Sequence, residues 1–157
     1  PDVENAWKSV YYLQNEVAFG EIVRGMHHWG ASLVIVMMFL HTLRVFFTGS
    51  YKKPRELNWI VGVGIFGVMM GLGFTGYLLP WDMKALFATK VGIEIAASVP
   101  FIGEYIKILL AGDSTILGAQ TLTRFFAIHV FFLPAALFAL LAAHFIMIRR
   151  QGISGPL

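Results

Sequence analysis

Three long apolar stretches, separated by polar segments, set the pattern of this chain. They cover residues 25–47, 59–79 and 123–148, and each has the roughly 20 residues that an α-helix needs to cross a bilayer. The pattern predicts an all-α transmembrane fold, a helical bundle of three spans with amphipathic helices at its surface.

The polar segments carry most of the charged residues. Residues 1–24 mix charge with aromatic side chains and are too polar to span a membrane, so we expect an interfacial segment of amphipathic helical character. Residues 82–122 form a long outer-face connection, with short surface helices expected near 84–98 and 104–111. Together these segments predict a single domain over residues 1–157.

Clusters of basic residues predict the topology. Lys52, Lys53 and Arg55 lie in the loop GSYKKPREL after the first span, and Arg149 and Arg150 follow the last span. Because short basic loops stay on the cytoplasmic side, both places are expected there. The first and third spans would then run in the same direction.

Composition agrees with a membrane protein and excludes several alternatives. The chain is 57% hydrophobic and 13% charged, whereas a soluble domain is about a quarter charged. The net charge of +3 does not indicate nucleic acid, because the basic residues adjoin apolar segments. The absence of cysteine excludes disulfides, iron–sulfur ligation and thioether-linked haem from this span. A start at Pro1 without methionine leads us to expect a fragment or a processed piece.

Four of the five histidines form two matched pairs within apolar spans. His27 and His41 are 14 residues apart, and His129 and His144 are 15 apart. In a helix these steps leave the members of a pair about 40° and about 60° apart around the axis and about 21–22 Å apart in depth. Parallel helices would therefore bring His27 opposite His129 and His41 opposite His144.

Two such pairs, stacked in depth, suit two haem irons that each take one imidazole from either side. A lone histidine in an apolar helix is more often a hydrogen-bonded core residue, but two matched spacings are not independent accidents. Intramembrane histidines are also costly, which favours a function. We interpret His27, His41, His129 and His144 as ligands, and His28 as a residue that faces elsewhere.

The arginines and glycines near the histidines each have two possible roles. Arg24 and Arg44 lie one turn from His27 and His41, so they could pair with haem propionates or extend to the interface. The glycines of the spans, Gly30, Gly62 and Gly76 among them, could allow close helix packing or leave clearance for a haem plane. Pro134 predicts a kink that could absorb the extra residue of the 15-residue step.

Several motifs resemble a known family. The chain resembles cytochrome b of the quinol–cytochrome c and quinol–plastocyanin oxidoreductases, and most of all the short b6-type form, at RGMHHWGAS, LHTLR, YKKPREL, GYLLPWD, TRFFAIH and RRQGISGPL. The resemblance covers essentially the whole chain. The 15-residue histidine step is typical of b6-like proteins. LQNEVAFG and the first span are most similar to the menaquinol-oxidising form of Gram-positive bacteria, which implies the bacterial cell membrane rather than the thylakoid.

The resemblance implies specific roles for the ligand pairs. His27 and His129 would hold a low-potential haem b near the outer face, and His41 and His144 a high-potential haem b near the inner face. Both haems would be non-covalent.

The resemblance also implies two quinone sites and several partners. Quinol would be oxidised at an outer site lined by Tyr77, Leu79, Pro80 and Trp81, and an inner quinone site would lie by Arg149 and Arg150. One electron would pass to a Rieske iron–sulfur protein and the other through the haems, coupled to proton translocation. Partners would be a subunit IV-type chain, cytochrome c or an equivalent, and membrane lipid, in a dimeric complex without nucleic acid.

The chain departs from the family pattern in two ways. The family's first helix is absent, so a third, c-type haem attached to that helix could only contact this piece. The Pro-Glu-Trp-Tyr motif of the quinol site is also absent, because it belongs to the partner subunit, and no acid here is an obvious quinol base. Two alternatives remain: the dihaem membrane anchor of another dehydrogenase, and a histidine-lined metal transporter. Transporters usually add intramembrane carboxylates, which these spans lack.

Overall fold

The computed structural model describes residues 2–112 and 117–154, and every regular element in these ranges is helical. The predicted all-α fold is therefore confirmed. Residues 113–116 of the outer-face connection lie outside the described ranges. The helices are, in chain order, α1 Ala6–Asn15, α2 Gly20–Phe47, α3 Glu56–Leu78, α4 Met83–Ala97, α5 Gly103–Ala111, α6 Ala119–Ala127 and α7 Leu133–Gln151.

Three helices are long and apolar enough to cross a membrane. They are α2, α3 and the continuous helical stretch Ala119–Gln151, which contains α6 and α7. In their most apolar windows, 0%, 6% and 6% of the residues are buried within the protein. The apolar side chains of these helices are not covered by protein, so they favour a hydrocarbon environment. A helix is suited to that environment because its backbone hydrogen bonds are made within the helix.

The backbone divides into two compact units, of which the first comprises Pro1–Gly25 and Phe74–Phe131. Its core is a small apolar cluster at the junction of the short helices, made of Leu78, Ile93, Ala111 and Phe125. The chain reverses into α4 at Asp82, whose carboxylate accepts a hydrogen bond of 2.8 Å from the Ala85 amide and so caps the helix.

The second unit comprises Met26–Gly73 and Phe132–Leu157. Here two glycines of α3 face leucines of α7. A Cβ added at Gly64 would lie 3.7 Å from Leu140, and one at Gly71 would lie 3.5 Å from Leu133. The residue numbers of these contacts increase along α3 and decrease along α7, so the two helices are antiparallel. At both positions a methyl group would make only ordinary van der Waals contact.

A π-helical turn interrupts the last span where a kink at Pro134 was expected. The turn covers Ile128–Phe132 and ends two residues before Pro134. A π turn uses i→i+5 bonds instead of the i→i+4 bonds that proline cannot complete, and it takes up an extra residue. The extra residue between His129 and His144 is therefore accommodated at this turn, next to the proline.

Candidate functional site

A cavity of about 710 Å³ lies within the second unit, between α2, α3 and α7. His41 and His144 both line it. Its volume is within the range of about 300–1,000 Å³ that is typical of cofactor pockets. Most of the remaining wall is aliphatic, with Val34, Met38, Val45, Val63, Ile65, Met69, Leu137, Leu141 and Ile148 among the lining residues.

The two histidines of this cavity come from different helices, His41 from α2 and His144 from α7. They are 103 residues apart in the sequence, and both line the same cavity. The His144 ring rests beside Gly62, where an added Cβ would be 3.5 Å from its Cε1. Gly62 is therefore a neighbour of a proposed ligand. The two roles expected for the glycines, close helix packing and clearance for a haem plane, did not include this one.

Two buried polar atoms at this cavity lack hydrogen-bond partners among the described residues. His144 Nδ1 is buried beside the backbone of Asn58, but it has no hydrogen bond of good geometry among the described residues. The side-chain oxygen of Asn58, another lining residue, is also buried without a partner there. Buried polar groups without partners are costly. Two imidazoles and an amide in an apolar cavity match a flat, largely apolar ligand with an iron at its centre.

Arg44 and Arg55 bring positive charge to this cavity, since both line it. The position of Arg44 supports its interpretation as a propionate partner, which stays a prediction. Arg149 and Arg150, predicted at an inner quinone site, are exposed on the last turn of α7 and do not line the cavity. Their role also stays a prediction, and Arg55 is the basic residue of the cavity that the sequence reading missed.

His129 is held in the first unit by two consecutive residues of α3. The Thr75 hydroxyl and His129 Nδ1 are hydrogen-bonded at 3.0 Å. Directly beside it, a Cβ added at Gly76 would lie 2.6 Å from Cε1 and 3.2 Å from both ring nitrogens, so the ring edge rests against the glycine. A hydrogen bond at Nδ1 restrains the orientation of the ring, as such bonds commonly do for histidines that ligate metals.

His27 and His28 occupy consecutive positions in the continuous helix α2, and both are exposed. The His28 ring makes an edge contact with Trp29, with centroids 5.6 Å apart and planes at 79°. His27 and His129 belong to different units, so their pairing stays a prediction. Gly30, on the same helix, would have no atom within 4 Å of an added Cβ, which leaves the space beside it open.

Arg24 has a partner that the sequence reading did not anticipate. Its guanidinium donates a hydrogen bond to the side-chain oxygen of Gln14 near the end of α1. This contact ties α1 to the start of α2. A guanidinium has five donors, so the interaction with Gln14 leaves the proposed propionate contact chemically possible.

The predicted quinol-site residues occupy different surroundings at the end of α3. Tyr77 is 56% exposed, whereas Leu79 packs against the buried cluster of the first unit. Pro80 and Trp81 are half-buried, and Trp81 has a left-handed backbone with φ 54°. Such a conformation in a bulky residue is strained and is often found at functional sites. The quinol-site assignment stays a prediction.

Membrane-spanning helices with two histidines on one apolar cavity are typical of a class of membrane proteins that hold haem between histidines. Within residues 2–112 and 117–154 no three or more histidine, aspartate or glutamate side chains are grouped to hold a metal ion.

Comparison with known proteins identifies the family. Residues 32–157 match the family model described as Cytochrome b(N-terminal)/b6/petB. The chain is 84% identical to the menaquinol:cytochrome c reductase cytochrome b subunit of Geobacillus thermodenitrificans and 83% identical to that of Bacillus subtilis, over all of this chain and 70% of each relative. It is 47% identical to cytochrome b6 of Synechocystis over the same shares.

The chain belongs to the cytochrome b/b6 family. Membership implies haem b binding. The three spans, together with the bacterial relatives, also identify a multi-pass bacterial membrane protein.

Proposed function

We propose that this chain binds two haem b groups non-covalently and is the electron-transferring subunit of a bacterial menaquinol:cytochrome c oxidoreductase. The observation that carries the proposal is the apolar cavity in which His41 and His144 meet. The proposed substrate and acceptor are those of the relatives from Geobacillus thermodenitrificans and Bacillus subtilis, which are menaquinol:cytochrome c reductase subunits. We further propose that residues 1–157 act as one N-terminal-type cytochrome b domain.

Four histidines would hold the two cofactors, each of which supplies a one-electron carrier when bound. His41 and His144 would ligate the inner haem, and His27 and His129 the outer one. The protein contributes orientation, because Thr75 and Gly76 fix the His129 ring. It also contributes an apolar, water-poor surrounding, which is one of the levers that set haem potentials.

Quinol oxidation would take place at the outer end of α3, near Tyr77 and Trp81. A quinol loses two electrons and two protons. We propose that one electron goes to a Rieske iron–sulfur protein and the other crosses the membrane on this chain. The protons would leave on the outer side, which couples the reaction to proton translocation. Arg149 and Arg150 remain the proposed basic residues of an inner quinone site.

Other subunits must complete the reaction. A subunit IV-type partner would supply the quinol base, and cytochrome c or an equivalent would take electrons from the iron–sulfur protein. We propose a dimeric complex. This span contains no cysteine, so any thioether-linked third haem would be attached to another segment and would only contact this chain.

We expect that the chain does not turn over quinol without an iron–sulfur partner. Only one of the two electron routes is encoded here, so the second electron of each quinol has no acceptor. The measurement is menaquinol:cytochrome c activity of the complex before and after removal of its iron–sulfur subunit. Activity should fall to background while the haem spectrum is retained. Undiminished activity in the stripped complex would refute the proposal.

A further inference from the structure

Two segments far apart in the sequence meet in the second unit. Arg55 donates from Nε to the Gly152 carbonyl at 3.2 Å and from Nη2 to the Ile153 carbonyl at 3.2 Å. The hydroxyls of Ser50 and Ser154 are 2.8 Å apart and also hydrogen-bonded. We call these three contacts the Arg55 clasp. It joins the basic loop GSYKKPREL to the segment that follows α7.

The clasp lies on the wall of the cavity that holds His41 and His144. Ser50, Arg55 and residues 152–154 all line that cavity. The backbone turns at Gly152, where φ is 74° and the amide donates to the Ile148 carbonyl at 2.9 Å. A glycine in this conformation ends a helix and redirects the chain. Here it presents two successive carbonyls to one guanidinium.

Apolar burial does not hold residues 152–154 in place. Ile153 is 84% exposed, and Ser154 is exposed as well. The segment is therefore fixed mainly by polar contacts, of which the two from Arg55 are the charge-assisted ones. A guanidinium offers its donors in a rigid, planar fork that can reach two carbonyls at once, whereas a lysine ammonium is a single point on a flexible stem.

We propose that Arg55 is a positioning residue that holds residues 152–154 over one end of the cavity and thereby slows the loss of the inner haem. The inference rests on the proposed function, in which this cavity holds that haem. On this proposal, retention of the inner haem depends on the planar shape of the Arg55 guanidinium as well as on its charge. A purely electrostatic role, in which any cation would serve, is the competing explanation.

The test compares variants of the whole complex. Arg55→Lys keeps the charge and loses the fork, and Arg55→Gln loses both. Lys53→Gln removes a charge from the same loop at a residue that does not line the cavity. The complex is mixed with excess apomyoglobin, which takes up released haem. The rate of release is measured from the loss of the b-haem signal that has the higher potential. Ser50→Ala, which removes one hydrogen bond of the clasp, is the milder second variant if the arginine variants do not assemble.

A second readout follows the segment itself. The chain contains no cysteine, so Ile153→Cys introduces one attachment point in this chain for a nitroxide label. The Ile153 side chain is exposed and its contact with Arg55 is through the backbone, so the label leaves the clasp in place. The label should be ordered with Arg55 present and mobile with Arg55→Lys.

We expect Arg55→Lys and Arg55→Gln to release the inner haem about tenfold faster, which corresponds to about 1.4 kcal/mol. Ser50→Ala should have a smaller effect in the same direction, and Lys53→Gln should match the unchanged complex. A haem-transfer rate for Arg55→Lys equal to that of the unchanged complex would overturn the inference and leave the proposed function intact. If the complex without any substitution were found to lack the inner haem, that result would instead overturn the proposed function itself.

Discussion

The substitution His27→Leu is expected to abolish the outer haem, whereas His28→Leu should leave both haems in place. Neighbouring residues of a helix point about 100° apart, so only one of the two can share a face with His41. From His27 to His41 the mismatch is about 40°, and from His28 it is about 140°. The helix α2 runs without interruption from Gly20 to Phe47, so this register applies throughout.

The surroundings of His28 agree with a role outside haem ligation. Its ring packs edge-on against Trp29, and its backbone carbonyl accepts a hydrogen bond of 3.2 Å from the Ser32 hydroxyl. Each variant is to be examined by reduced-minus-oxidised absorption spectra of the purified complex. Loss of a haem from His28→Leu, with both haems retained in His27→Leu, would mean that the register is off by one residue.

The substitution Gly76→Ala is expected to displace the His129 ring and to lower the affinity for the outer haem about 10–100-fold. This is the range found when the groups that orient a metal ligand are lost. An added Cβ would lie 2.6 Å from Cε1, a distance that requires something to move. The ring cannot turn away without breaking its 3.0 Å hydrogen bond to Thr75. Redox titration of the two b-haem signals measures the loss.

Two glycines of the same helix provide matched controls. At Gly62 an added Cβ would make an ordinary contact of 3.5 Å with His144, and at Gly67 it would meet no atom within 4 Å. Gly62→Ala should therefore have a small effect on the inner haem, and Gly67→Ala should have none. If all three variants lost haem equally, helix packing rather than the fit of His129 would explain the need for Gly76.

The apolar pattern predicted where the spans lie but not where their helices end. The first apolar stretch was residues 25–47, whereas α2 begins at Gly20, and the last was 123–148, whereas the helix runs over Ala119–Gln151. Polar residues extend the helices beyond the hydrocarbon, where water can satisfy them, and hydrophobicity carries no signal for that extension. Helix ends are in any case the least certain part of a sequence-based assignment.

The paired histidines were predictable because helical geometry turns a spacing into a direction. The groups that orient them were not. Thr75 bonds to His129 over 54 residues, and Arg55 bonds to Gly152 over 97. No local pattern marks such pairs, because they depend on how helices pack. The motif GSYKKPREL indicated only a basic loop, and its contact with the segment after α7 required the structure.

The glycines of α3 show a similar limit. Their number suggested close packing or room for a haem plane. The structure adds a third use, in which Gly62 and Gly76 accommodate the rings of His144 and His129. The spacing of 14 residues between these glycines could have suggested it, because it nearly repeats the step between those histidines.

The most direct test of the central claim is a count of haem in the purified complex, before and after extraction with acidified acetone. We expect two b-type haems for each copy of this chain, both released from the polypeptide, because imidazoles alone hold them and residues 1–157 contain no cysteine for a thioether bond. A single b haem for each chain, or two b-type haems that both stay attached to the polypeptide after extraction, would contradict this expectation.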